Sequence, residues 1–216
     1  MKLIIALIPF ISLTVNAQVV PQGFIIPPAY MESVKIDNQY WLKNNLNVAS
    51  YNNGDLIPYY SNSTGWGSLT TPASCSYNFD ASNDAVYGKL YNYYAVIDAR
   101  GICPLGWHTP TDTEFGTLNT AIGGNGGALK EVGLVHWNTP NSGATNTTNF
   151  SALGAGYMGT SSPANQGIVT YYWTATASPY DATRAYTWSL SKDNTIFTQS
   201  YENTKVGGFS VRCIKN

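Results

Sequence analysis

One strong helix signal, with nothing comparable after it, is the feature that most restricts the fold of this chain. Thr111 and Glu114 have capping-box spacing, which gives side-chain partners to the first free amides of a helix over residues 112–122. Phe115, Leu118 and Ile122 then fall at helical spacing, and Gly123 and Gly124 stop the run. A second, shorter helix is expected over residues 89–96, with Leu90, Tyr91, Tyr94 and Ala95 on one face. Beyond Gly123 the patterns are those of strands and loops. Strands are expected at residues 171–175, 184–190, 195–199 and 208–214. Near the start, Val34-Lys35-Ile36 and Gln39-Tyr40-Trp41 flank Asp37-Asn38, a hairpin signature. Asn52-Asn53-Gly54-Asp55 marks another turn. Residues 138–170 are rich in Asn, Thr, Ser and Gly and read as a long ordered loop region. The expected class is α+β: two short helices early, antiparallel strands mostly late, and long ordered loops.

The first residues point to export. Lys2 is the only charge before Glu32, an apolar run follows it, and Val15-Asn16-Ala17 supplies a small-residue cleavage site. The run is too short to span a bilayer, which takes roughly 20 residues, and no later stretch is apolar enough. Residues 1–17 are expected to be a signal peptide and 18–33, with three prolines, a tether or lead-in; residues 34–216 form the domain. Cleavage removes one base and no acid, so the formal charge passes from −1 to −2. That leaves no basic field for nucleic acid or anionic lipid. Charged residues are only 11% of the chain, so Asn, Thr, Ser, Tyr and Gly must supply the surface. Such a surface suits recognition, with adaptable hydrogen bonds and rigid aromatic contacts.

Residues carrying chemistry are few. His108 and His136 each adjoin a Trp, no set of three or four zinc ligands accompanies them, and both are expected to be buried or half-buried and bonded to backbone. No G-x-S-x-G elbow is present. Asp80, Asn83 and Asp84 cluster oxygens that could hold calcium, without EF-hand spacing; the competing reading is an Asx-turn capping a helix. Residues 123–127 follow a helix rather than a strand, which speaks for a flexible surface loop and against a phosphate cradle. Cys75, Cys103 and Cys213 leave one thiol over if two are bridged. Among the late aromatics, Trp173 and Trp188 fit a core face. Tyr180 and Tyr201 lie in polar turns, and the candidate ligand contacts are Tyr180, Tyr201, Tyr186 and Trp188.

Four ordered segments carry a family resemblance: VKIDNQYWLKNNLNVASYNNGD at 34–55, YGKLYN at 87–92, CPLGWHTPTDTEF at 103–115 and GFSVRC at 208–213. Together they resemble the Fibrobacter succinogenes major paralogous domain, a module of exported bacterial proteins, with Phe115 where that pattern often has Trp. That family is similar to the C-type-lectin-like fold, in particular its formylglycine-generating branch, through the proline-led helix start at Pro110 and the closing segment 208–212. The resemblance implies a disulfide between Cys103 and Cys213, with Cys75 left over; pairing of Cys75 with Cys103 stays open. Closing so long a loop corresponds to roughly 4–5 kcal/mol in the chain-entropy model. Copper-dependent oxidation needs two neighbouring reactive thiols, and Cys213 stands alone late in the chain, so that activity is not carried over. The expectation is an exported, non-catalytic, adhesin-like module. It needs no cofactor beyond possible calcium, and it recognises a glycan or protein at a cell surface through its late loops. A structural part of a cell-envelope assembly, or an oxidase-like enzyme, are the alternatives. Lectin-like domains ending in Gly-Phe-x-x-Arg are also sometimes diversified by retroelements, and the polar stretch 176–204 fits that habit.

Overall fold

Alternation on either side of Asp37-Asn38 produces a hairpin of β1 (Ser33–Ile36) and β2 (Gln39–Leu42), with Val34 opposite Trp41 and Asp37 in the left-handed region. The computed structural model describes residues 32–216, apart from the side chains of 201 and 202. The expected signal peptide, and the lead-in as far as residue 31, lie outside the described residues. After the hairpin come β3 (Ser74–Cys75), the single-turn α1 (Asp84–Tyr87), β4 (Leu90–Tyr91), the single-turn α2 (Tyr93–Val96) and β5 (Trp107–His108). α3 (Asp112–Ala121) is the one long helix among the described residues. β6 (Tyr157–Met158), β7 (Pro163–Ala164), β8 (Val169–Ala177), β9 (Arg184–Ser191), β10 (Thr198–Thr204) and β11 (Ile214–Lys215) complete the order.

The fold is mixed, mostly strands with few short helices, and its ladders are antiparallel. One sheet has the order β1-β2-β11-β5, so the first and last strands share it: Ile214 pairs with both Trp41 and His108. A second sheet is the meander β10-β9-β8, with Tyr172 opposite Trp188. α3 covers one face of that meander. Its capping box is complete, with Thr111 Oγ1 accepting from the Glu114 amide and Glu114 Oε2 accepting from the Thr111 amide. Asp112 and Glu114 in its first turn also complement the helix dipole. Phe115, fully buried, lies 5.0 Å from Trp41, 5.8 Å from Phe197 and 6.2 Å from Trp188 between ring centroids. Phenylalanine therefore fills the centre of an aromatic core. Among the described residues, no helix is long and apolar enough to cross a membrane.

Three expected elements are corrected. The helix over residues 89–96 is interrupted: Leu90 and Tyr91 form β4 against β3, and the Tyr91 backbone exchanges hydrogen bonds with Phe209. Only 93–96 is helical, capped by Asn92, whose side chain accepts from the Ala95 amide. Backbone pairing outweighed the apolar periodicity there. The expected strand 208–214 is extended but joins no ladder until β11. Its groups bond in turn to Met158, Tyr91, Tyr171, Trp173, Leu46 and Leu42, so it runs as a seam through the molecule. Residues 123–125 are exposed as expected, but 126 and 127 are packed into the molecule rather than part of a loose surface loop. Gly126 is buried and its amide donates to Thr195 O at 2.6 Å; a Cβ there would stand 2.5 Å from Leu190 Cδ2. Glycine serves close packing at that position.

Arg212 sits on the seam, fully buried, and among the described residues no carboxylate contacts its guanidinium. Nη1 donates to the carbonyls of Leu42 (3.1 Å), Lys43 (2.6 Å) and Phe150 (2.7 Å), while Nε and Nη2 donate to Asn45 Oδ1. The cation also lies 4.3 Å from the Phe150 ring centre. Burial draws its pKa down from the ordinary value, yet that value is so far above neutrality that the group stays charged. Arg212→Met should therefore cost about 3 kcal/mol or more, because it leaves several buried carbonyls unpaired. Arg212→Lys should recover little, since a point ammonium cannot span the same acceptors. Urea unfolding checks this, and a shift below about 1 kcal/mol for the Met variant would refute the role assigned to Arg212.

Candidate functional site

β8 and β9 are joined by a tip, residues 178–183, whose backbone is held by its own polar side chains. Ser178 Oγ accepts from the amides of Tyr180 and Asp181, each at 3.2 Å. Asp181 Oδ1 accepts from the Thr183 amide (2.8 Å) and hydroxyl (2.6 Å), and Oδ2 accepts from Arg184 Nε. These bonds hold the Asp181 carboxyl below its ordinary pKa, led by the Thr183 hydroxyl, with Arg184 contributing. Lys205 Nζ donates to the Ala182 carbonyl from below. Tyr180 stands at the apex with 84% of its surface exposed. A ring presented on a loop tied in this way loses little further freedom when it binds.

Two of the other three candidate contacts do not join it. Tyr186 and Trp188 are buried, which corrects the expectation that they face a ligand. Trp188 packs against Phe197 at 4.8 Å and donates Nε1 to Asp112 Oδ1 at 2.8 Å, because α3 covers that face of the meander. Trp173 is likewise core, donating Nε1 to the Tyr91 carbonyl. Tyr201 lies in β10 rather than in a turn, where the register against β9 slips between Ser200 and Asn203; its side chain lies outside the described residues.

The candidate calcium cluster is committed elsewhere. Asp80 Oδ1 caps a 3₁₀ turn by accepting from the Ser82 amide. Asn83 Nδ2 donates to the Tyr77 carbonyl. Asp84 is buried in an ion pair with Lys89. Among the described residues, no group of three His, Cys, Asp or Glu is placed to hold a metal ion. Asp80 Oδ1 thus serves the expected cap, while Asp84 Oδ1 is buried without a hydrogen-bond partner.

Cys103 and Cys213 form the disulfide, with Cα atoms 6.0 Å apart. Cys75 is buried and free, and its thiol is pushed up to about 12, chiefly by burial and further by Asp84. The histidines pair with side chains rather than with backbone. His108 meets Glu114 Oε1 at 2.8 Å and Asn216 Oδ1 at 2.6 Å; His136 meets Glu131 Oε2 at 2.7 Å.

One surface went unread in the sequence. Val132, Leu134 and Val135 are 58%, 59% and 80% exposed on one short loop. Gly133 (φ 94°) makes its turn, the Asn141 side chain donates to the carbonyls of Glu131 and Gly133, and Trp137 anchors its end in the core. The run V-G-L-V has the composition of a strand, and only the missing partner strand could have flagged it.

Against known proteins, the family model described as Fibrobacter succinogenes major domain matches residues 34–215. No curated protein and no solved structure matches the chain.

Two outcomes follow from the electrostatics. Cys75 should resist thiol reagents in the native oxidised protein at pH 8 and react fully once denatured; labelling of the native form would place it in an accessible site. The second concerns Glu114. Burial alone would raise its carboxyl, but the Thr111 amide and hydroxyl and His108 together hold it below the ordinary value. Its stabilising contribution is therefore complete above the unfolded-state pKa and disappears as pH falls through the depressed folded value. Glu114→Gln should flatten the acid limb of the stability–pH curve, and an unaltered limb would rule this out.

Proposed function

The chain belongs to the Fibrobacter succinogenes major domain family, and we propose that it is an exported, non-catalytic binding module. In this reading it recognises a glycan or a protein at a cell surface through its late loops. The observation that carries the proposal is the β8–β9 tip, where Tyr180 is almost fully exposed on a backbone immobilised by Ser178, Asp181 and Lys205. Exposed aromatics on rigid loops are effective anchors, because their large contact area costs little entropy.

Export is supported by the charge, apolar run and small-residue exit of residues 1–17 and by the Cys103–Cys213 bridge, since such bridges persist in oxidising compartments. A C-type-lectin-like fold is supported by the sheet that unites β1, β2 and β11 and by the disulfide reaching the closing segment. The non-catalytic reading rests on how the reactive groups are spent. Cys75 is buried and protonated, and both ring nitrogens of His108 have partners.

A second reading, a structural part of an envelope assembly, is favoured by the exposed aliphatic loop at Val132, Leu134 and Val135. A binding screen of residues 18–216, oxidised, against glycan arrays and cell surfaces separates the two. The module reading expects saturable binding that falls about tenfold or more in Tyr180→Ala at unchanged thermal stability. Failure to bind, together with self-association abolished by Val135→Glu, would replace it with the structural reading.

A further inference from the structure

A cleft of about 440 Å³ opens beside the disulfide, where the segment 96–103 faces β5 and the start of α3. Its volume lies in the range of small-ligand sites. Ala175 of β8 lies in its wall, and the exposed tip begins three residues further on, so cleft and tip share one strand end. The lining is mixed. Ile97, 49% exposed, forms the rim, and the half-buried Trp107 supplies an indole. Its polar lining is Asn52, Asp98, His108, Thr109 and Thr111, of which both ring nitrogens of His108 and the Thr111 hydroxyl already have partners.

Asp98 and Asn52 are oriented in advance. Arg100 donates Nε to Asp98 Oδ1 and Nη2 to Oδ2, both at 2.8 Å. Arg100 is itself fixed by Asp55 Oδ2 at 3.0 Å and by the Tyr51 ring, 4.2 Å from its guanidinium carbon. The guanidinium hydrogen bonds hold the Asp98 carboxyl below its ordinary pKa, so it is an ionised acceptor with lone pairs to spare. Asn52 Nδ2 donates to the Cys103 carbonyl at 2.8 Å, which sets the carbonyl end of the amide as an acceptor. The cleft thus sets the Trp107 indole and Ile97 beside acceptors fixed by Arg100 and the Cys103 carbonyl.

This chemistry excludes most ligands. Phosphate and carboxylate ligands would meet Asp98. A cation would find both oxygens of that carboxylate already accepting from Arg100. A neutral ring with one apolar C–H face and several hydroxyl donors satisfies both halves of the lining. We infer that the cleft binds a single neutral pyranose ring, its C–H face against Trp107 and Ile97 and its hydroxyls donating to Asp98 and Asn52. The inference rests on the binding-module reading and deepens it, by naming a ligand class and a pocket next to the tip.

The test follows the Trp107 indole N–H resonance of the oxidised protein while free neutral hexoses and N-acetylhexosamines are titrated, with a glucuronate and an alkylammonium as comparators. The expected result is a saturable shift at Trp107 with a neutral sugar and none with the comparators. Ile97→Arg, at a half-exposed position where folding is not at stake, should weaken that sugar about tenfold or more. No shift with any neutral pyranose, a response to alkylammonium alone, or equal binding by Ile97→Arg would each overturn the inference. Array binding that depends on Tyr180 without any shift at Trp107 would also overturn it, while leaving the module reading intact. A shift at Trp107 alongside array binding indifferent to Tyr180→Ala would uphold the cleft and reject the tip.

Discussion

The buried guanidinium of Arg212 is the interaction on which the rest of this structure depends. A chain with long irregular segments has many backbone carbonyls that no helix or ladder can satisfy, and a buried carbonyl without a donor is costly. Arg212 carries a rigid set of donors into the interior and answers three of them, on Leu42, Lys43 and Phe150, together with the Asn45 side chain. Those acceptors come from the first sheet, the loop after it and the middle of the long loop region. One side chain therefore ties together segments that are far apart in sequence. Lys130 repeats the device: fully buried, its ammonium donates to the carbonyls of Ser142, Ser191 and Asn194. A chain with so few charges buries two of them to serve its own backbone.

The disulfide and the shared sheet act on the same seam. Cys213 follows Arg212 directly, and its bridge to Cys103 closes a span of 110 residues, worth roughly 4–5 kcal/mol in the chain-entropy model. Ile214 then enters the ladder between β2 and β5. Cation, bridge and ladder occupy three consecutive residues. The end of the chain is thereby fixed as a central element, against which the meander and α3 pack.

How much of this was legible depends on whether the deciding forces were local. The capping box at Thr111 and Glu114, the Asp37-Asn38 turn and the apolar pattern of β8 and β9 act over a few residues, so their elements could be read directly. The interruption at residues 90–91 could not be, because the partner that pulls Tyr91 out of a helix is Phe209, far along the chain. Trp188 had the same ambiguity: alternation gave its side of the strand, but only the position of α3 made that side the interior. The tightness of residues 126 and 127 depends on Leu190 and Phe197 closing over Gly126. The cleft was invisible for a similar reason, since Asn52, Asp98 and Trp107 converge only once the disulfide region is assembled.

The abundance of Asn, Ser and Thr reads, in the sequence, as an adaptable recognition surface, and the structure assigns many of these groups to a different task. Asn146 exchanges bonds with the amide and hydroxyl of Ser151; Asn141 holds the aliphatic loop; Asn92 caps α2 and accepts from the Ala73 amide; Thr148 donates to the Ala128 carbonyl. Short polar side chains are well suited to this, because they reach backbone groups nearby without long flexible stems. Their use in this way makes irregular loops rigid, and it also withdraws them from contact with a partner. Tyr180 and the aliphatic loop at Val132, Leu134 and Val135 are exposed on backbone held in this way. In the binding reading proposed above, shape held in advance is the condition under which a few side chains can carry most of a binding free energy.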